Sequence, residues 1–362
     1  MSRLLRFDRP LLVITLGLLA MGLVMIYSSS AVLALTRKGN PNYFFYRECI
    51  WAAIALVAMM LMLRVPYTFW KERKVMLSLL GLEILMLLLA LVSPAINGSH
   101  RWIKIGPITV QPSETAKLVM VLFVAYMLEK RVREGKEWSQ VLLPLGLYFG
   151  FAAALILIQP DLGTVVVLGV ILGSVLLIAG LPWKWLGALA AVGLLAFLVL
   201  AFSSPYRMQR LMTFMNPGSD PQHTGFQAQQ SLIAAGSGGL IGKWVGGSSQ
   251  KLLFLPEPHT DFIYSMIGEE LGFLGSVAVL LGFLFFGYRG LRAMRSAPDT
   301  FGAFLAMGIV AWVVLQAIIH MMVTLTLLPT KGLPLPLLSY GGSNLVVTMA
   351  GVGILLNVSQ YE

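Results

Sequence analysis

Residues 11–34 read LLVITLGLLAMGLVMIYSSSAVLA, twenty-four positions without one Asp, Glu, Lys or Arg. An α-helix rises about 1.5 Å per residue, so a bilayer core about 30 Å thick takes about 20 apolar residues to cross. The stretch is too long for a removable signal and lacks a cleavage-site pattern, so it reads as a retained membrane helix. The same template fits nine more intervals, at 48–64, 75–93, 113–128, 140–158, 162–180, 184–202, 262–287, 301–328 and 339–357. The predicted fold class is an all-α polytopic membrane protein of about ten transmembrane helices with one large extracytoplasmic loop. It forms a single integral-membrane domain over residues 1–362.

Composition agrees. Of 362 residues, 57% are apolar and 12% charged, against about 45–50% and about 25% in an ordinary soluble domain. Mean hydropathy is +0.82. A soluble core of this size could not be covered by so little polar surface. One cysteine, Cys49, and four histidines exclude a disulfide framework and a Cys-rich metal centre. The net charge of +10 does not point to nucleic acid, because the bases lie singly or in short runs between apolar spans, as topogenic charge does.

Those bases set an orientation. Fifteen lie on one side: in the N-terminal segment, at 64–74, 130–136, 184 and 289–295. Ten lie on the other, spread over much longer connections at 37–47, 101–104, 207–251 and 331. The positive-inside rule then puts both termini in the cytoplasm and the long loops outside.

The largest outer connection, 203–261, carries Gly236, Gly238, Gly239, Gly242, Gly246 and Gly247, then Leu255-Pro256-Glu257-Pro258-His259-Thr260-Asp261. Long structured loops in compact proteins are usually functional or disordered. Phe226, Leu232, Leu240, Trp244 and 252–255 supply apolar anchors, so a folded, partly membrane-embedded segment is expected. Gly242-Lys243 does not complete a phosphate-binding P-loop, since Ser237 and Trp244 stand where Gly and Ser or Thr are needed. No repeat of one half in the other supports an inverted-repeat transporter.

Ionisable residues at membrane depth are costly and mark functional or structural pairs. They are Glu83, Glu114, Lys117, Asp161, Glu269 and Glu270. Glu114 and Lys117, three apart, share a helix face after Pro112. Lys117 and Asp161 both fall near the outer third of the bilayer, where they would form an ion pair locking two helices or a pair that meets substrate. One of Glu269 and Glu270 is expected to face the bundle. Asp261 stands at the outer mouth of a span, with Glu257 and His259 close by. It suits a helix N-cap, and equally a partly desolvated general base. The run from Lys331 through Pro334, Pro336, Ser339 and Tyr340 to Ser343 disfavours continuous helix and predicts a tightly packed or re-entrant outer loop. Lys331 with Arg101, Lys104, Arg210 and Lys251 would bring positive charge to an outer cavity, suited to a pyrophosphate.

Together these motifs resemble the SEDS family of shape, elongation, division and sporulation proteins. The resemblance rests on Gly98-Ser99-His100-Arg101-Trp102, Gln111-Pro112-Ser113-Glu114 with Lys117, and Gln159-Pro160-Asp161-Leu162-Gly163-Thr164. It continues through Leu255-Pro256-Glu257, Thr260-Asp261-Phe262, Glu269-Glu270-Leu271-Gly272, and Leu328-Pro329-Thr330-Lys331-Gly332 to Ser343. These cover the chain nearly end to end in family order. Pro329-Thr330-Lys331-Gly332 and Asn216-Pro217 with Gly225-Phe226-Gln227 look more like the division branch than the elongation branch. His320 departs from the pattern, which has asparagine there.

The resemblance implies a peptidoglycan glycosyltransferase that polymerises lipid II at the outer face of the bacterial cytoplasmic membrane, at the division septum. It places the family's essential aspartate at Asp261 and its supporting ion pair at Lys117 and Asp161. In that reading an acceptor hydroxyl attacks the anomeric carbon of an α-linked donor. Asp261 takes the proton, undecaprenyl pyrophosphate leaves, and a single displacement gives the β product. Arg101, Arg210, Lys251 and Lys331, with Glu257 and Ser339 in the same two outer runs, are the candidate substrate-binding residues. No cofactor is identified; a divalent cation, Mg²⁺ or Mn²⁺, would help the leaving group, though no ligand cluster marks its place. Implied partners are a class B penicillin-binding transpeptidase, divisome regulators and membrane lipids. Three other readings stand beside this one: a lipid II flippase, an elongation-type polymerase and a scaffold without activity.

Overall fold

A computed structural model describes residues 7–96, 98–106, 108–202, 205–215, 224–251, 255–329 and 331–361. Arg3, Arg6, Asn216, Pro217, residues 252–254 and Thr330 lie outside the described residues, as does the side chain of Arg207. The chain is built of helices α1 (Arg9–Lys38), α2 (Tyr43–Arg64), α3 (Arg73–Val92), α4 (Pro112–Glu134), α5 (Trp138–Ile158) and α6 (Leu162–Ile178). They continue as α7 (Trp183–Phe202), α8 (Pro205–Met215), α9 (Thr224–Ser237), α10 (Ile263–Ser296), α11 (Thr300–Thr324) and α12 (Gly342–Val358).

Helices occupy all ten predicted intervals, and eight of them are long and apolar enough to cross a membrane. The remaining two are α6, which has only 17 residues, and α4, which carries Glu114, Lys117 and Glu129. The helices that outrun their intervals furthest are α4, which reaches Glu134, and α10, which reaches Ser296, both through basic stretches that a hydropathy window cuts off. In contrast, α11 stops at Thr324, and the described residues of 325–341 are without helix up to the start of α12. The chain is all-α as expected apart from one small hairpin, β1 (Ile103–Ile105) with β2 (Ile108–Val110). Its signal was the alternation Ile103, Ile105 around Lys104 before Gly106-Pro107, a turn dipeptide.

Local chemistry sets several ends. At α1 the Asp8 carboxylate accepts from the Leu11 N–H at 2.8 Å, and Gly39 closes the helix in the left-handed region. The centre of the bundle is α4, α11 and α12, whose Met120, Val124, Trp312, Leu355 and Leu356 are buried. Large apolar side chains such as Val13, Leu143 and Leu147 point outward, as on a surface facing lipid. No residue of Trp183–Leu200 in α7 is buried, though Trp185 and Leu186 at its start pack against the core.

Polar contacts gather at the two ends. At one, Arg289 grips Asp8 at 2.9 Å, Lys71 binds Glu129 at 3.0 Å, and the Asp8 N–H donates to Ser359 Oγ. Asp8, near the start of α1, and Ser359, just after α12, therefore meet at this end. The opposite end gathers the described residues of 93–111, 159–161, 255–262 and 325–341.

The large connection is described in part. It holds α8 and α9, and its segment 238–251 packs into a break in α10. There Gly272 has φ 69° and ψ −165°, which interrupts the helix. The freed N–H groups of Phe273 and Leu274 donate to the carbonyls of Gly239 (2.8 Å) and Leu240 (3.1 Å), and Lys243 N–H donates to Glu269 O (3.0 Å). Backbone at membrane depth must be satisfied within the protein, and this loop does it. The approach needs glycine: a Cβ on Gly242 would lie 2.2 Å from Glu270 O. Glu269 and Glu270 are both buried and both used. Glu269 binds Lys243 at 2.9 Å and the Ser248 hydroxyl, while Glu270 accepts from Ser28 of α1 at 2.7 Å.

Candidate functional site

Three segments at this end of the bundle close on Asp261. The first is the proline-flanked turn that carries it, held to the third by Ser339, whose hydroxyl donates to Thr260 O at 2.6 Å while accepting from Leu335 N–H at 2.8 Å. The Tyr340 N–H adds a bond to His259 O at 2.9 Å. The second is the α5–α6 corner, whose Gln159 and Pro160 carbonyls accept from Arg101 at 2.8 and 2.6 Å. The third is 331–341. Its Lys331-Gly332 backbone passes so near that a Cβ on Gly332 would lie 2.9 Å from Asp261 Oδ2, and Leu333 packs on Gly163 beside Asp161.

Asp261 is partly buried and does not cap α10, whose N-cap is Phe262 with no side-chain bond. Among the described residues its carboxylate has no hydrogen-bond or ion-pair partner, which removes the helix-cap reading. Burial pushes its pKa up to about 6. The Glu257 charge adds to this and Asp161 adds less, while Arg210 and Arg101 oppose it. Burial also lowers the pKa of the Lys331 ammonium, with Asp161 opposing and Arg210 reinforcing the shift. Asp261, Asp161, Glu257, Arg101, Arg210 and Lys331 thus share one electrostatic field. Chemically, it offers an uncommitted carboxylate able to take a proton near neutral pH, flanked by bases suited to a phosphate-rich leaving group.

Residues 9–362 match the FtsW/RodA/SpoVE cell cycle protein family. The chain belongs to this family. It is 43% identical over 356 residues to a probable peptidoglycan glycosyltransferase FtsW of Nitrosococcus halophilus, covering 97% of this chain and 92% of that one. It is 40% identical to stage V sporulation protein E of Bacillus subtilis, covering 98% and 97%. Among solved structures it superposes on a chain of a peptidoglycan synthase complex that coordinates polymerization and crosslinking, with TM-score 0.80, 29% identity and 98% of both chains covered. It also superposes on the rod shape determining protein RodA of Thermus thermophilus, with TM-score 0.73, 28% identity, and 99% and 98% covered.

In this FtsW/RodA/SpoVE protein the expected Lys117–Asp161 ion pair does not form. Lys117 binds Glu114 at 2.7 Å, one turn back on α4, and donates to Gln316 Oε1 at 2.9 Å. Asp161 instead caps α6, accepting from Thr164 N–H at 3.1 Å and its hydroxyl at 2.8 Å. Both side chains are buried, so neither is a free contact for substrate. Lys251 is held by Glu270 at 3.3 Å and the Gly246 carbonyl at 2.6 Å. Glu257 pairs with Arg37 of α1 at 2.6 Å, Lys104 is exposed on β1, and Ser339 serves as the clamp already described.

Two residues of the site were given no role by sequence reasoning, although His320 was noted there as a departure from the family pattern. Gln316 and His320 of α11 donate to the carbonyls of Pro334 and Leu333, at 2.9 and 2.6 Å. Their available signal was two polar residues four apart on an apolar helix, hence on one face. His259 is buried between Phe44 and Tyr340, its pKa lowered by burial to about 4, so it is neutral and packs as an aromatic ring. Among the described residues no three His, Cys, Asp or Glu side chains converge as a metal site.

Proposed function

We propose that this chain is an FtsW-type peptidoglycan glycosyltransferase that polymerises lipid II at the outer face of the bacterial cytoplasmic membrane, in septal wall synthesis. The observation that carries the reading is the uncommitted Asp261 carboxylate, roofed by Lys331-Gly332 and flanked by Arg101 and Arg210. Relatives named as glycosyltransferases support the reaction class.

Asp261 takes the proton of the acceptor hydroxyl as its oxygen attacks the anomeric carbon from the face opposite the pyrophosphate, inverting an α to a β linkage. The departing undecaprenyl pyrophosphate is already a stabilised anion, so it needs fixed positive charge more than an acid. Arg101 is preoriented by its two carbonyl bonds, and Lys331 and Arg210 complete that charge. Lipid tails stay in the bilayer and enter laterally; the exposed face of α7 beside Lys331, whose Nζ lies 5.8 Å from the Phe197 ring centroid, lies along that route.

The termini, with their basic flanks, lie in the cytoplasm under this reading. A class B penicillin-binding transpeptidase cross-links the product, with divisome regulators acting on the pair. The test is synthesis of glycan strands from purified lipid II by the full chain with that transpeptidase. Polymer supports the reading. Lipid II movement across vesicles without polymer would replace it by transport.

A further inference from the structure

We infer that His320 is a positioning residue: with Gln316, it clasps the 331–336 loop in place over Asp261. The function of the clasp rests on the reading of Asp261 as the base, while its geometry does not. His320 and Gln316 lie one turn apart on α11 and seize two consecutive carbonyls, those of Leu333 and Pro334. A carbonyl only accepts, so His320 Nδ1 carries the proton and donates. Its other nitrogen, Nε2, is buried and has no partner among the described residues. A buried imidazole with one nitrogen left bare is held for the bond that the other makes.

Gln316 is oriented in turn. Its Oε1 accepts from both Lys117 Nζ and Trp312 Nε1, each at 2.9 Å, which turns its NH₂ toward Pro334 O. The chain of contacts runs from Glu114 and Lys117 through Gln316 to the loop. The carbonyl that His320 holds follows directly on Gly332, the residue against Asp261. Lys117, in this arrangement, acts on the site through Gln316 rather than through Asp161. An asparagine at this position would carry an N–H donor able to reach toward the same carbonyl with a shorter arm.

Releasing the clasp frees Lys331-Gly332 to lift from Asp261. A misplacement of about 1 Å at a reacting centre can lower a rate by about a hundredfold. In strand synthesis from lipid II, His320→Leu is expected to lower kcat at least roughly tenfold with KM nearly unchanged, and His320→Asn to restore most of it. A second readout does not use activity. In a Cys49→Ala background, an Asp261→Cys thiol should react with a small maleimide several-fold faster when His320 is leucine than when it is histidine or asparagine. Labelling rates equal in all three would overturn the clasp even if Asp261 proves to be the base. Faster labelling in the leucine variant alone, with Asp261→Asn still active, would keep the clasp and remove the base. A leucine variant that does not fold leaves the asparagine and histidine forms to be compared with Gln316→Leu by the same labelling, where no increase contradicts the clasp.

Discussion

At Asp261 a carboxylate near pKa 6 fixes a pH dependence. Only the ionised form accepts a proton, so strand synthesis should fall as pH drops through about 6. Glu257 raises that pKa by its negative charge. Glu257→Gln should therefore shift the acid limb of kcat/KM to lower pH, and Arg101→Met should shift it higher; profiles measured on both variants check the sign. Lys117 makes a different prediction. Its partner Glu114 is buried, so Lys117→Met strands a carboxylate and should cost about 3–5 kcal/mol, partly recovered in Glu114→Gln/Lys117→Met. Thermal unfolding of the three variants tests it. Asp261 was legible because an ionisable residue after a proline-rich turn stands out at a membrane mouth. The partner of Lys117 was misread across helices, although the spacing of Glu114 and Lys117 already put them on one face. Distances between helices are not written in one sequence, and spacing along a helix is.

The break in α10 shows what glycine makes possible at the scale of an element. Gly272 sits in backbone that glycine alone adopts readily, and a Cβ there would lie 2.4 Å from Gly242 N. Gly272→Ala should cost at least about 1–3 kcal/mol and release segment 238–251. Limited proteolysis should then cut within that segment in the variant and spare it in the parent chain. The glycines of the connection were visible in the sequence as a cluster, but their counterpart, two helical turns into the next span, was not. A break inside a helix leaves the hydropathy pattern intact. The hairpin at 103–110 was likewise too short to compete with spans of about 20 residues, despite its alternation.

Across the whole molecule, the ends of the bundle differ in kind. One is closed by Asp8–Arg289 and Lys71–Glu129, and the other gathers Asp261, Arg101, Arg210 and Lys331. If the second end faces outward, cysteines introduced at Asn40 and at Lys136, in a Cys49→Ala chain, should label differently in intact cells. Asn40→Cys should react with an impermeant reagent directly, and Lys136→Cys only after permeabilisation. The intervals of the ten predicted spans were readable because hydrocarbon demands apolar length. Their packing was not, since every span is apolar on most faces. Apolar content alone does not separate α7, whose apolar stretch has no buried residue, from the buried α12.

The most direct test of the account is strand synthesis from purified lipid II by the full chain with its class B transpeptidase, compared with Asp261→Asn in the same complex. The account predicts polymer from the parent and a loss of at least about a hundredfold in a folded, partner-bound variant. Equal polymer from both would contradict it.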